Sequence, residues 1–282
     1  MMLLTYASLA MALTLGVLAA DTRIHIVREL VLGFSVLSVL LFTCSDRLSL
    51  IISILLIVLL VTCYLLKFTK QKWLYLSLFV ICCLFSFLLA IHSIPGIENV
   101  QLYNNVTVSE GAPAFNLNAN FDKGIAGIVL LLLITSRSSG LIKYVKNWLL
   151  IPIVWLVLFF IAWLTGLGWE PKWPEFTLVF FLVNLFFTCI AEEAFFRGFI
   201  QQRLQHVMIH FKHGQALALC LTSLLFGLVH FSGGIPFVVL ATLAGFGYGV
   251  IYNQTGKLSA AILVHFGLNA LHFTLLTYPV PL

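Results

Sequence analysis

Two adjacent carboxylates in an apolar sequence are the first residues that could do chemistry. Glu192 and Glu193 follow the apolar run Phe180 to Ala191, whereas nearly every other acid lies in a loop or at the end of an apolar run. A charge inside a membrane helix costs at least about 2.5–3.5 kcal/mol, so an ionisable group there needs a partner or a task. Arg197 stands four residues after Glu193, the favourable order for an ion pair on a helix, and is expected to neutralise it. Glu192 lies about 100° further round the helix and is left facing another surface, without a fixed counter-charge. A carboxylate so placed in a low-dielectric site is suited to serve as a general base near neutral pH. The structural alternative is a cluster of Glu192, Glu193 and Arg197 that only holds helix register.

Further polar groups favour the chemical reading. His230 ends the apolar segment 215–231, one turn after Phe226. His265, Asn269 and His272 fall at positions i, i+4 and i+7 of the last segment and so share one face of a helix. A carboxylate and an imidazole can hold and deprotonate a water, while a second imidazole and an amide can donate hydrogen bonds to the oxyanion formed at an attacked carbonyl. The set therefore supports hydrolysis without a Ser or Cys nucleophile. The same Glu and two His would equally suit a zinc site with an open position. His272 is expected to make only a packing hydrogen bond.

The elements that position these residues are membrane helices. The chain is 61% hydrophobic and 9% charged, against roughly 25% charged in an ordinary soluble domain. The fold class is all-α, a polytopic transmembrane bundle with about ten membrane segments, near 4–20, 27–43, 49–66, 73–93, 124–136, 147–168, 175–200, 215–231, 236–252 and 258–277. The segment 124–136 is short enough for a half-span. With alternating helices, twelve of the fifteen Lys and Arg fall on one side, among them Arg23, Arg137, Lys143 and Lys146, and only Arg47, Lys123 and Lys172 on the other. The richer side is cytoplasmic by the positive-inside rule, so both termini and loop 94–123 lie outside. A segment ending at 200 puts Glu192 toward the cytoplasmic end, far from His230 along the membrane normal; a helix continuing to about Gln205 would bring it toward mid-membrane.

The organisation expected is an N-terminal group of about four transmembrane helices over 1–93, a non-cytoplasmic loop over 94–123, two connecting membrane segments over 124–174, and the motif-bearing bundle over 175–282. Gly245 and Gly249 form a small-xxx-small pair that allows close helix approach. The stretch His206 to His213 reads either as an amphipathic interfacial helix or as a plain connector. The six cysteines lie within or at the edges of apolar segments, as small buried groups and not as a disulfide framework. Lys and Arg are scattered singly, with no basic stripe, so nucleic acid is excluded as a partner.

The motifs resemble those of a known family. Glu192-Glu193-Ala-Phe-Phe-Arg197 fits E-E-x-x-x-R, Phe226-Gly-Leu-Val-His230 fits F-x-x-x-H, and His265-Phe-Gly-Leu-Asn269 fits H-x-x-x-N. In this order, each on its own apolar segment, they resemble the CAAX prenyl protease and bacteriocin-processing (CPBP, Abi) family of intramembrane endopeptidases, over about residues 175–277. The resemblance implies a peptidase in which Glu192 is the base, His230 orients the water, His265 and Asn269 form the oxyanion hole, and Glu193 and Arg197 support the site. It implies a membrane-associated protein or peptide as substrate: a prenylated C-terminus, a leader peptide or a membrane anchor. It also implies a multi-pass protein of the bacterial inner (plasma) membrane. No cofactor is required on this reading, because His-x-x-x-Asn supplies a donor where a third metal ligand would be expected; zinc is the alternative. The rival functions are a non-catalytic immunity or partner-binding member of the family and a proton-coupled transporter. The transporter lacks support from any repeat of the ionisable residues.

Overall fold

A computed structural model describes residues 1–22, 24, 26–134, 149–164 and 166–280. Arg23, Arg137, Lys143 and Lys146 of the charge count lie outside the described residues, as do positions 135–136, 147–148 and 165 of the expected membrane segments. Each of the ten apolar segments contains a helix: α1 (Met2–Thr22), α2 (Val27–Thr43), α3 (Leu50–Leu65), α4 (Lys72–Ala90), α5 (Phe121–Ile134), α6 (Leu150–Leu164), α7 (Thr177–Val207), α8 (Gly214–Leu228), α9 (Gly234–Thr255) and α10 (Leu258–Leu275). Among the described residues six helical stretches are long and apolar enough to cross a membrane: α1, α3 with its following turn, α4, α7, α9 with its preceding turn, and α10. The protein is an integral membrane protein built as an all-α polytopic bundle.

The described residues divide into two compact units. One is drawn from Met1–Val100, Asn118–Leu141 and Phe186–Phe195, the other from Gln101–Leu117, Ile142–Leu185 and Phe196–Leu282.

In the first unit, α5 is the central element. Twelve of its 14 residues are buried, the pattern of a helix surrounded by protein on all sides. Its 14 described residues rise about 20 Å. Small residues let neighbours close on it: a Cβ at Gly124 would fall 2.7 Å from Leu9 Cδ2, and one at Gly127 would fall 3.2 Å from Ala191 Cα on α7. Phe42 stacks on Phe121 with ring centroids 4.0 Å apart, and Tyr6 meets Phe187 edge-on. By contrast α4 buries only the stripe Phe79, Cys82, Ser86 and Leu89. Its exposed Trp73, Val80, Ile81, Leu84 and Phe87 form an apolar face that lipid must cover.

The second unit groups α6, α8, α9 and α10. Its helices interlock through Trp155 of α6, whose Nε1–H donates to the Val264 carbonyl at 2.9 Å over the bare backbone of Gly267. Loop 94–123, expected as an irregular boundary, contains a two-stranded sheet, β1 (Val100–Val106) with β2 (Phe115–Ala119). Within this unit Phe115 packs among Phe176, Phe180 and Tyr278, and Phe180 stacks on Phe273 at 3.9 Å.

Residues 206–213 are the plain connector of the two readings: α7 runs through Val207 and a turn leads to α8. The six cysteines form no disulfide, but not all are the buried groups expected: Cys44, in the turn after α2, and Cys220 are exposed, and Cys83 is half-buried.

Candidate active site

The main correction near the site concerns the length of α7. It continues to Val207, 31 residues in all, so Glu192 and Glu193 fall at its middle and not near one end. Hydropathy hides this extension because the second half of α7 is polar yet turned into protein. Arg197, Gln201 and Gln205, at spacing i, i+4 and i+8, are all buried. Arg197 Nη1 donates to Gln201 Oε1 at 3.3 Å. Gln201 Nε2 donates to the Gly249 carbonyl at 3.2 Å and to Asn253 Oδ1 at 2.8 Å, and Gln205 Nε2 reaches the same Asn253 oxygen at 2.6 Å. The network depends on Gly249, where a Cβ would fall 2.3 Å from Leu219 Cδ1 and 2.7 Å from Gln201 Oε1.

The helix is not a uniform α-helix. Residues Asn184–Cys189 and Ala194–Gln201 form i→i+5 hydrogen bonds, and the short α-helical stretch Ile190–Glu193 lies between them. Such π stretches recur at functional sites. The Glu pair occupies the α-helical island.

Three of the motif residues in the second unit gather around one ring. The guanidinium carbon of Arg197 lies 5.5 Å from the centroid of Phe226. The imidazoles of His230 and His265 lie 4.8 and 5.6 Å from it. Phe226, which the motif includes as a bare aromatic, is thus the packing hub of the histidine side. It rests on Gly245, where a Cβ would come within 3.0 Å of its Cδ1, so the glycine pair does permit the expected close approach. Tyr248, unflagged by the sequence, stacks on His265 with centroids 4.7 Å apart and the planes 17° from parallel.

His230 is not on the helix that the sequence assigned to it. α8 ends at Leu228, and His230 lies in the turn that follows, half-buried. Its Nδ1 is 2.7 Å from the Phe226 carbonyl, one of the orphan acceptors of a helix C-terminus. A carbonyl only accepts, so Nδ1 carries the hydrogen, and a neutral imidazole then has its lone pair on Nε2. His265 is buried on α10, and Asn269, one turn on, donates through Nδ2 to Asn184 Oδ1 at 3.1 Å. Asn184 is a further residue that the sequence reading passed over. Its signal was available: an amide inside the apolar run of α7 must find a partner. His272 bonds the Thr277 carbonyl through Nε2 at 3.1 Å, the packing role expected of it.

The Glu pair belongs to the first unit. Glu193 is fully buried. Glu192 was expected to lack a counter-charge, and that expectation is corrected: Lys123 Nζ, at the start of α5, lies 3.9 Å from its Oε1. The partner comes from a helix 69 positions earlier in the chain, beyond any local spacing rule. The other oxygen, Oε2, is buried and makes no hydrogen bond among the described residues. Buried polar atoms are normally bonded, so this oxygen is poised to accept a donor. Among the described residues there is no group of three or more His, Cys, Asp or Glu side chains that could hold a metal ion.

Comparison with known proteins agrees with the motifs. Residues 174–271, about a third of the chain, match the family model described as type II CAAX prenyl endopeptidase Rce1-like. The matched region runs from just before α7 into α10 and contains all three motifs, so the resemblance to the CAAX protease family holds over that region. No curated protein and no solved structure matches the chain.

Proposed function

We propose that the protein is an intramembrane endopeptidase that hydrolyses a peptide bond of a membrane-associated protein or peptide with water activated by Glu192. The observation that carries this reading is the buried Oε2 of Glu192, without a hydrogen bond among the described residues, on the helix that bears the first of the matched motifs. In the reaction, Oε2 accepts a proton from water as the water oxygen bonds to the scissile carbonyl carbon. His230, with Nδ1–H committed to the Phe226 carbonyl, offers Nε2 to orient that water. His265 and Asn269 donate to the oxyanion, and the amide of Asn269 is held in place by Asn184. Collapse of the tetrahedral intermediate breaks the C–N bond, and the proton held by Glu192 passes to the leaving amine. Glu193 and Arg197 support the helix that carries the base. No cofactor enters this scheme. The substrate is a prenylated C-terminus, a leader peptide or a membrane anchor, met in the bacterial plasma membrane.

The test compares membranes from cells expressing the intact protein and Glu192→Ala at matched abundance, by mass spectrometry of new N- and C-termini. Defined termini present with the intact protein and absent with the variant support the reading and name the substrate. Identical peptide maps with a persisting cellular phenotype would overturn it, and partner binding or transport would take its place.

A further inference from the structure

Lys123 lies outside the region matched by the family model, and none of the three motifs calls for it. Its ammonium nevertheless meets the carboxylate proposed as the base, 3.9 Å from Oε1, with the two side chains 28% and 19% exposed. At that distance the attraction is one of charge more than of a directed hydrogen bond.

The approach is built into the backbone. Gly127 lets α5 close on α7 to the point where a Cβ would fall 3.2 Å from Ala191 Cα, the residue before Glu192. One turn nearer the start of α5, a Cβ at Gly124 would touch the Phe187 ring at 3.2 Å. The first turn of α5 is also pinned. Asn99 Oδ1 accepts the Phe121 N–H at 2.7 Å, and Asp122 Oδ1 accepts the N–H of Lys123 itself at 2.8 Å. The other oxygen of Asp122 is bonded to His92 Nδ1 at 2.6 Å. Helix N-terminal donors left unpaired would fray; here they fix the point from which the lysine reaches out.

An ammonium against one carboxylate oxygen makes the two oxygens inequivalent. We infer that Lys123 is a positioning residue for the proposed reaction, holding Oε1 of Glu192 so that Oε2 is the oxygen presented to water. The inference rests on the hydrolysis proposed above. It gives the N-terminal half of the chain a direct part in a site whose motifs all lie in the C-terminal half.

The experiment measures the rate at which Glu192-dependent termini appear in membranes, for the intact protein, Lys123→Met, Lys123→Gln and Lys123→Arg, with Glu192→Gln as the blank. Abundance and thermal unfolding in detergent are recorded for each. The expected result is a fall of about tenfold or more in both neutral variants, with the same termini and an unchanged melting temperature, and recovery of most of the rate in Lys123→Arg. Gln preserves a polar side chain without charge, so it keeps the test open if Met lowers abundance. A wild-type rate in either folded neutral variant overturns the role of Lys123 while leaving the hydrolysis intact. If no termini depend on Glu192, the underlying reaction fails, and the inference fails with it.

Discussion

The surroundings of Arg197 and of Glu192 differ in kind, although the two residues share one helix. Arg197 is fully buried in a dense set of contacts: the Phe226 ring on one side, and Gln201, with its bonds to Gly249 and Asn253, on the other. Glu192 has one long ion pair and a buried oxygen with no hydrogen bond among the described residues. The contrast separates a charge used to build from a charge kept for a reactant. Gln201, Gln205 and Asn253 bind one another and the Gly249 carbonyl beside Arg197, so the first arrangement serves architecture. The second leaves stability unclaimed where a water or a substrate group can claim it.

That contrast can be broken by measuring stability. The largest effect should come from Phe226→Ala, which empties the space between Arg197, His230 and His265. Unfolding in detergent should show a loss of about 3–5 kcal/mol, and a near-neutral result would mean that the ring is not the hub. Asn253→Leu should cost less, about 1–3 kcal/mol, because Gln201 and Gln205 both lose an acceptor in a buried place. The smallest effect should come from Glu192→Gln, within about 1 kcal/mol of the intact protein, since it removes only one ion pair at the limit of contact. A loss in Glu192→Gln as large as that in Phe226→Ala would reverse the comparison and make Glu192 a structural residue.

Much of this was legible in the amino-acid order because hydropathy alone reports which stretches meet lipid. Every expected segment contains a helix, down to the short α5. What escaped were the places where polar side chains face protein inside the membrane. The second half of α7 reads as a helix end because Arg197, Gln201 and Gln205 are polar, and only the opposing Asn253 and Gly249 explain why the helix continues. His230 reads as the last turn of a helix because nothing local marks the stop at Leu228. Loop 94–123 reads as featureless because its strands are short and polar, although Phe115 has an aromatic cluster to join. The pairing of Lys123 with Glu192 joins distant parts of the chain, and a single sequence holds no trace of it. The motifs, by contrast, were readable because each costly polar group stands against an apolar background.

The two π stretches of α7 have a consequence for how this helix can change by inheritance. Each closes its hydrogen bonds over five residues where an α-helix uses four, so it accommodates one residue beyond an α-helical turn. Loss of one codon within either stretch can be absorbed as a return to ordinary α-helix, with the flanking turns intact. Because the residue lost is the extra one, the turns on either side keep their facing, whereas the same loss inside a regular α-helix would rotate one side by about 100° against the other. The helix therefore carries two places, one on each side of its carboxylates, at which the loss of a single codon is absorbed without breaking the span.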